Sequence, residues 1–144
     1  MSLDLLKPVS DSLIDELNEN YLQGSIYKKL AIHTSSFGLP NLESTNVCIV
    51  GLDECRNSFF QSATQDLNSI RKEFYKLKFS NWKLSISDLG NLPSGNTVDD
   101  TYHALFEICK ELLSKKIVLV ITGGSNDLIY PVFKSFDSHN DKVN

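Results

Sequence analysis

The sequence predicts an α/β protein in which a parallel sheet lies between two layers of helices. Three segments, at 47–52, 83–90 and 117–122, have the length and apolar content of strands, and helical spacing follows each of them. Strands that are separated by helical crossovers run parallel, and these crossovers are right-handed. The order β-α-β-α-β-α therefore predicts a three-layer α/β/α architecture with a parallel sheet of about three strands.

Residues 1–45 are predicted to be an N-terminal extension with one helix, lying against the α/β domain of residues 46–144. Ser10 or Asp11 is placed to cap this helix, and Leu13 and Leu17 of the helix follow helical spacing. The remainder of the extension has no clear periodicity.

The first half of the α/β domain begins with the segment VCIVGL at 47–52, an apolar run typical of a strand buried on both faces. Apolar residues at steps of three and four then predict a helix over about 64–78. The segment KLSISDLG at 83–90 alternates apolar and polar residues, which predicts a second strand that is less deeply buried or lies at an edge. A break over 90–96 contains Gly, Pro and Asn.

The second half predicts a helix that is capped by Thr97, with acidic residues in its first turn and two lysines at its end. The strand IVLVIT at 117–122 and a helix over 127–136 complete the pattern. A sheet of three strands leaves 117–122 without an outer neighbour, and an unpaired apolar strand favours association.

Composition excludes several classes of function. The chain has 144 residues, of which 41% are hydrophobic and 22% charged, as in one ordinary globular domain. Its net charge of −4, without a long basic block, argues against a nucleic-acid partner. No apolar run reaches the about 20 residues that span a bilayer, and no secretory signal is recognisable, so no membrane partner is expected.

Three cysteines, Cys48, Cys55 and Cys109, form neither a disulfide framework nor a zinc pattern. Cys48 and Cys109 lie in apolar patterns and are expected to be core residues. These features predict a reduced, cytoplasmic chain.

Three loops are predicted at the carboxyl edge of the sheet, where open parallel sheets bind ligands. They are residues 53–62, 88–96 and 123–127. The simplest interpretation is that they make turns and cap helices, with Ser125 or Asn126 as an N-cap. The glycine spacing fits neither GxGxxG nor a P-loop, and no signature places a histidine beside a serine nucleophile. His33 and His139 are expected in solvent, and His103 on a partly exposed helix face.

Four segments in order resemble the first part of a ureohydrolase, the family of arginases, agmatinases and formimidoylglutamases. They are VCIVGLDE, the helix with IRKEF, SISDLGN, and VLVITGGSNDLIYPVF, within about residues 45–136, and the formimidoylglutamase or arginase-like branch is the most similar. The resemblance implies an arginase-like α/β/α fold and two manganese ions that activate a bridging water for attack on a linear amidine. Arg71 is retained in this pattern, and we interpret it as a structural or interface ion-pair residue.

The resemblance implies one metal-ligand position in this chain, in a Gly-Gly-x-His turn after the third predicted strand. Gly123 and Gly124 match the turn, Ser125 takes the variable position, and Asn126 stands where the family has histidine, followed by Asp127. A neutral amide is a poor ligand for manganese. The Asp-x-His-x-Asp motif of the family is absent, so no catalytic residue, metal ligand or cofactor is assigned to the chain alone.

Two hypotheses follow, and a third is weaker. The chain is either the N-terminal part or a truncated relative of a ureohydrolase-type C–N hydrolase, inactive alone, or a non-catalytic ureohydrolase-like protein that acts through self-association or partner binding. The expected partners are accordingly a second copy or the remainder of a longer chain, with a small amidine substrate only in a full-length enzyme. A small flavodoxin-like binding domain is the third possibility, although no residue indicates a flavin or nucleotide.

Overall fold

A four-stranded, all-parallel sheet forms the centre of the protein in this computed structural model, which describes residues 2–20, 23–59, 66–81 and 83–138. The order of the strands in the sheet is β1-β3-β2-β4. The strands are β1 (Ala31–Ile32), β2 (Val47–Leu52), β3 (Ile86–Leu92) and β4 (Val118–Gly123). The predicted α/β class and the parallel sheet are confirmed.

Helices cover both faces of this sheet, as a three-layer architecture requires. They are α1 (Asp11–Glu19), α2 (Leu67–Lys76), α3 (Val98–Ser114) and α4 (Ile129–Asp137), with short 3₁₀ turns at Ser2–Leu5, Ile26–Lys29 and Asn126–Leu128. Ile49 of β2 packs in a cluster with Phe74 of α2, whereas Cys48 and Val50 pack in the cluster of α3. Alternate residues of β2 therefore face opposite helical layers. Among the described residues, none of these helices has the length and apolar content needed to cross a membrane.

The helix caps predicted for α1 and α3 are present. Ser10 accepts a hydrogen bond from the backbone N–H of Leu13, and Thr97 forms a capping box with Asp100. Asp66 caps α2, so that helix begins later than the predicted residue 64, which lies outside the described residues. These side chains satisfy amide groups that the first turn of a helix leaves without partners.

The N-terminal segment contributes a strand that was not predicted. Ala31 of β1 lies opposite Ser87 of β3, and Lys7 forms an isolated antiparallel bridge with Asn91. The amide of Val9 also donates to the carbonyl of the residue after β1, at 3.0 Å. The first 45 residues thus complete one edge of the sheet, which is why the sheet has four strands and not three. A strand of two residues is too short to produce a periodic pattern.

The predicted edge position of the 83–90 segment is wrong, because β3 lies between β1 and β2 and is almost entirely buried. Its polar residue Asp88 is fully buried and paired with Arg71 of α2, with N–O distances of 2.8 and 3.1 Å. The Tyr75 hydroxyl also donates to Asp88 at 2.7 Å. Burial and the Asp88 charge raise the pKa of Tyr75, so the phenol remains a donor. The interpretation of Arg71 as a structural ion-pair residue is confirmed.

β3 extends to Leu92, so the predicted loop at 90–96 begins inside the strand. A bulge at this point shifts the register with β2, and Gly90 has a φ of +84°. A Cβ atom at Gly90 would lie 1.9 Å from the carbonyl oxygen of Lys7. Glycine is therefore required where the N-terminal segment crosses the sheet.

β4 confirms the prediction of a strand without an outer neighbour, since in the described structure it pairs with β2 alone. Its side chains alternate, and Val118 and Val120, on the side of α2, are 62% and 42% exposed. A groove of about 280 Å³ lies beside Val120, and Ile70 and Phe74 form part of its wall. An apolar run thus occurs here at an open edge and not between two strands.

Candidate functional site

Three loops meet at the carboxyl edge of the sheet. The loops begin after β2, β3 and β4, and because parallel strands end at the same edge, the polar residues that follow them are brought together. The described parts are residues 53–59, 93–97 and 123–127, and residues 60–62 of the first predicted loop lie outside the described structure.

Glu54 connects all three loops. Its backbone carbonyl accepts from the amide of Ser125 at 2.9 Å, and its buried carboxylate accepts from Thr101 Oγ1 at 2.9 Å. Arg56 binds the same carboxylate, with Nε 2.9 Å from Oε1, and donates to the carbonyl oxygens of Gly95 and Asn96 at 2.9 Å. The three loops are held by one buried acid and one guanidinium.

The charge of Glu54 is stabilised by these contacts. Hydrogen bonds from Arg56 lower the pKa of the carboxyl to about 2, and this effect exceeds the opposing effect of burial. The Arg56 side chain is 41% exposed and lies at the surface, whereas the Glu54 carboxylate has no exposure. The pair is thus ionised at neutral pH, and it orders the rim of the site.

The turn after β4 has the geometry that its two glycines indicate. Gly123 and Gly124 have φ angles of 81° and 75°, and a Cβ at Gly124 would approach Leu128 Cδ1 to 2.4 Å. Ser125 is buried and its hydroxyl donates to the Glu54 carbonyl at 3.4 Å, so it does not cap the following helix through its side chain. The predicted helix over 127–136 is a 3₁₀ turn followed by α4.

Asp127 is held by side chains from the other two parts of the edge. Oδ2 accepts from Tyr102 of α3 and from Asn57 Nδ2, the latter at 2.9 Å, while Oδ1 is buried without a hydrogen-bond partner among the described residues. Burial raises the pKa of this carboxyl, but the polar groups of Ser125, Tyr102 and Asn57 outweigh burial and hold the pKa below its ordinary value. Asn126, by contrast, is exposed.

The histidines lie away from this turn or outside the described structure. The prediction that His33 is in solvent is wrong: it is buried, and its Nδ1 lies 2.9 Å from the carbonyl oxygen of Leu89. The sequence around His33 has no periodic pattern. In the structure His33 follows β1 directly, and its carbonyl accepts a hydrogen bond from the amide of Val9. His103 is exposed on α3, as predicted, and His139 lies outside the described residues.

The described donors at the turn do not fit a pair of manganese ions. Asn126 offers a neutral amide, and one oxygen of Asp127 is already bonded to two side chains. Within residues 2–20, 23–59, 66–81 and 83–138, no three His, Cys, Asp or Glu side chains are grouped as metal ligands. No catalytic step is therefore assigned to this turn.

A cleft of about 760 Å³ lies beside the second loop, between that loop, α3 and the N-terminal 3₁₀ turn. Its lining includes the carboxylate residues Asp100 and Glu107, together with His103 and Asn96. Arg56 lies near Asp100, so Glu107 is the carboxylate that favours a cationic group in this cleft.

Comparisons with protein-family models, curated proteins and solved structures found no match to this chain.

The sequence located the three loops but not the residues that join them. Glu54, Arg56 and Thr101 were not singled out, since an acid and an arginine two residues apart are common in exposed loops. A signal was present in the position of Glu54, two residues after a strand buried on both faces.

Proposed function

We propose that this chain is a ureohydrolase-like α/β scaffold that forms the wall of a pocket for a linear amidine and does not catalyse its hydrolysis alone. The arginase-like fold, the cytoplasmic location and the amidine ligand are parts of this proposal. The observation that carries it is the turn from Gly123 to Asp127, which lies at the carboxyl edge of β4 and exposes Asn126. In this proposal Asn126 takes the position of the family histidine. The cleft beside the adjacent loop, with Glu107 in its lining, supports a cationic ligand.

A metal titration tests the assignment of the turn. Asn126→His is expected to acquire paramagnetic broadening by Mn²⁺ at the amides of residues 123–127, because it adds an imidazole beside Asp127. Asn81→His is the matched control, since Asn81 is also exposed and no acid lies within six residues of it along the chain. Equal broadening in both variants, or none in Asn126→His, would mean that the turn is not the metal-ligand position.

A binding experiment tests the pocket. Addition of an alkylguanidinium is expected to shift amide resonances of residues 95–104 without turnover of the compound, and urea of the same concentration is the neutral control. Equal shifts with urea, or shifts restricted to other surfaces, would refute the pocket. The intact mass from the native source adds a separate criterion, since a mass well above 16.2 kDa indicates that the scaffold belongs to a longer enzyme.

A second candidate function is non-catalytic association with a second copy of the chain at the open edge of β4. The observation that favours it is the exposure of Val118 and Val120 on a strand that pairs with β2 alone in the described structure. Such an edge presents both unpaired backbone groups and apolar side chains. Light scattering tests it, because a chain that remains a monomer at high concentration does not self-associate.

A further inference from the structure

We infer that two copies of this chain join through β4, antiparallel about a twofold axis at Val120, so that their sheets become one continuous sheet. This inference rests on the second candidate function, self-association at the β4 edge, and specifies its geometry.

The backbone of β4 determines which groups are available for pairing. The amide of Val118 donates to the Asn46 carbonyl at 2.9 Å, so the N–H and C=O of Val118, and of every second residue after it, point towards β2. The alternate residues Leu119 and Ile121 therefore direct their N–H and C=O groups outward. A second strand satisfies these groups, whereas a featureless apolar surface does not.

Charge selects the direction of that second strand. No charged side chain occurs from residue 117 to residue 126, while Lys115 and Lys116 precede the strand and are exposed. Asp53 and Asp127 lie at the other end, where Leu52 pairs with Gly123. Antiparallel pairing places the lysines of one copy near the acidic end of the other, whereas parallel pairing would place lysines beside lysines. A twofold contact of one strand with itself is necessarily antiparallel.

Helix α4, which follows β4 along the chain and packs on α3, adds exposed apolar surface. Its residues Ile129 and Phe133 are 73% and 55% exposed and lie one turn apart. They point away from α3, because Tyr130 and Lys134, on a different side of α4, contact α3, with the rings of Tyr130 and Tyr102 6.4 Å apart. In the pair, we expect these side chains to add to the apolar surface that the second copy covers.

We take the register in which Val120 of one copy faces Val120 of the other, which the outward groups allow. If Leu119 forms hydrogen bonds with Ile121 of the second copy, Val120 lies opposite its own copy in a non-hydrogen-bonded pair, with a Cα–Cα distance of about 4.5 Å. A disulfide requires a Cα–Cα distance of about 4.4–6.8 Å. In the same register Val118 of one copy lies opposite Thr122 of the other, so the two Val118 residues are far apart.

Cysteine crosslinking tests this register. In a Cys55→Ser background, Val120→Cys is expected to form a disulfide-linked dimer under mild oxidation. Val118→Cys is the matched control: this position is more exposed than Val120, at 62% against 42%, yet it is expected to remain uncrosslinked. Equal crosslinking of both variants would show random collision and would overturn the twofold register.

Solution mass provides the second measurement. The unmodified chain is expected to have twice the 16.2 kDa mass of one copy. Val120→Lys is expected to be a monomer, whereas Phe37→Lys, at an 89% exposed residue near the opposite edge of the sheet, is expected to remain a dimer. A dimer that survives Val120→Lys would retain self-association and overturn pairing through β4. If the unmodified chain is a monomer, both self-association and pairing through β4 are overturned, and the scaffold proposal is unaffected.

Discussion

The buried pair of Arg71 and Asp88 gives the sharpest test of the fold. Arg71→Met removes the cation from a carboxylate that has no exposure, and the guanidinium also donates to Asn91 and to the Gly90 carbonyl, at 2.7 and 2.9 Å. Breaking a buried pair by removing one partner costs about 3–5 kcal/mol. A domain of this kind has a free energy of unfolding of about 5–15 kcal/mol, so the loss is large but measurable.

Urea denaturation followed by circular dichroism measures this loss. Asp88→Asn combined with Arg71→Met is expected to lose less than the sum of the single variants, with a coupling of about 2 kcal/mol or more, because the double variant has no unpaired charge. Lys72→Met is the matched control, as its pair with Glu16 is exposed and is expected to contribute less than about 1 kcal/mol. Additive losses, or an Arg71→Met loss equal to that of the control, would refute a tightly coupled buried pair.

Three further variants or measurements test single contacts. Gly90→Ala is expected to lower the free energy of unfolding by more than about 2 kcal/mol, because the added Cβ clashes with Lys7 and the backbone is strained. Gly38→Ala, with a φ of +69° but open space around it, is expected to lose only about 1 kcal/mol. Equal losses would contradict the close approach at Gly90. The lowered pKa of Glu54 implies stability that is present above its ordinary pKa of 4.5 and is lost as the pH falls towards about 2. Glu54→Gln should therefore reduce the fall in urea midpoint between neutral pH and about pH 3, and an unchanged fall would assign acid sensitivity to other groups. Cys55 alone should react with a thiol reagent in the native state, because Cys48 and Cys109 are buried and burial raises the pKa of each thiol to about 12. Rapid reaction of a second thiol would mean that the core opens.

The sequence was sufficient to predict those helices and strands that their own residue pattern determines. The helices are amphipathic and capped by local residues, so Ser10 and Thr97 could be identified from a few neighbours. The class of fold followed from the alternation of strands and helices, since crossover connections force parallel pairing. The carboxyl-edge loops were placed by the same reasoning.

The sequence was insufficient where a distant partner determines the environment. Asp88 and its neighbours appeared polar enough for an edge, but Arg71, 17 residues earlier, neutralises the carboxylate inside the sheet. At β4 the order of the elements, and not the apolar run itself, was sufficient to predict the open edge. His33 and the two residues of β1 acquire their burial from the N-terminal segment, which no local pattern reveals.

The position of β1 in the sheet has a consequence for synthesis on the ribosome. β1 pairs with β3 alone among the described strands, so its partner is translated about 55 residues later, and closing a loop of that length costs about 3–4 kcal/mol of chain entropy. β1 has no partner strand until residues 86–92 have left the exit tunnel. The N-terminal segment therefore docks late, onto a nascent β2–α2–β3 unit, and its apolar side chains Val9 and Leu13 stay uncovered until Tyr75 of α2 is in place.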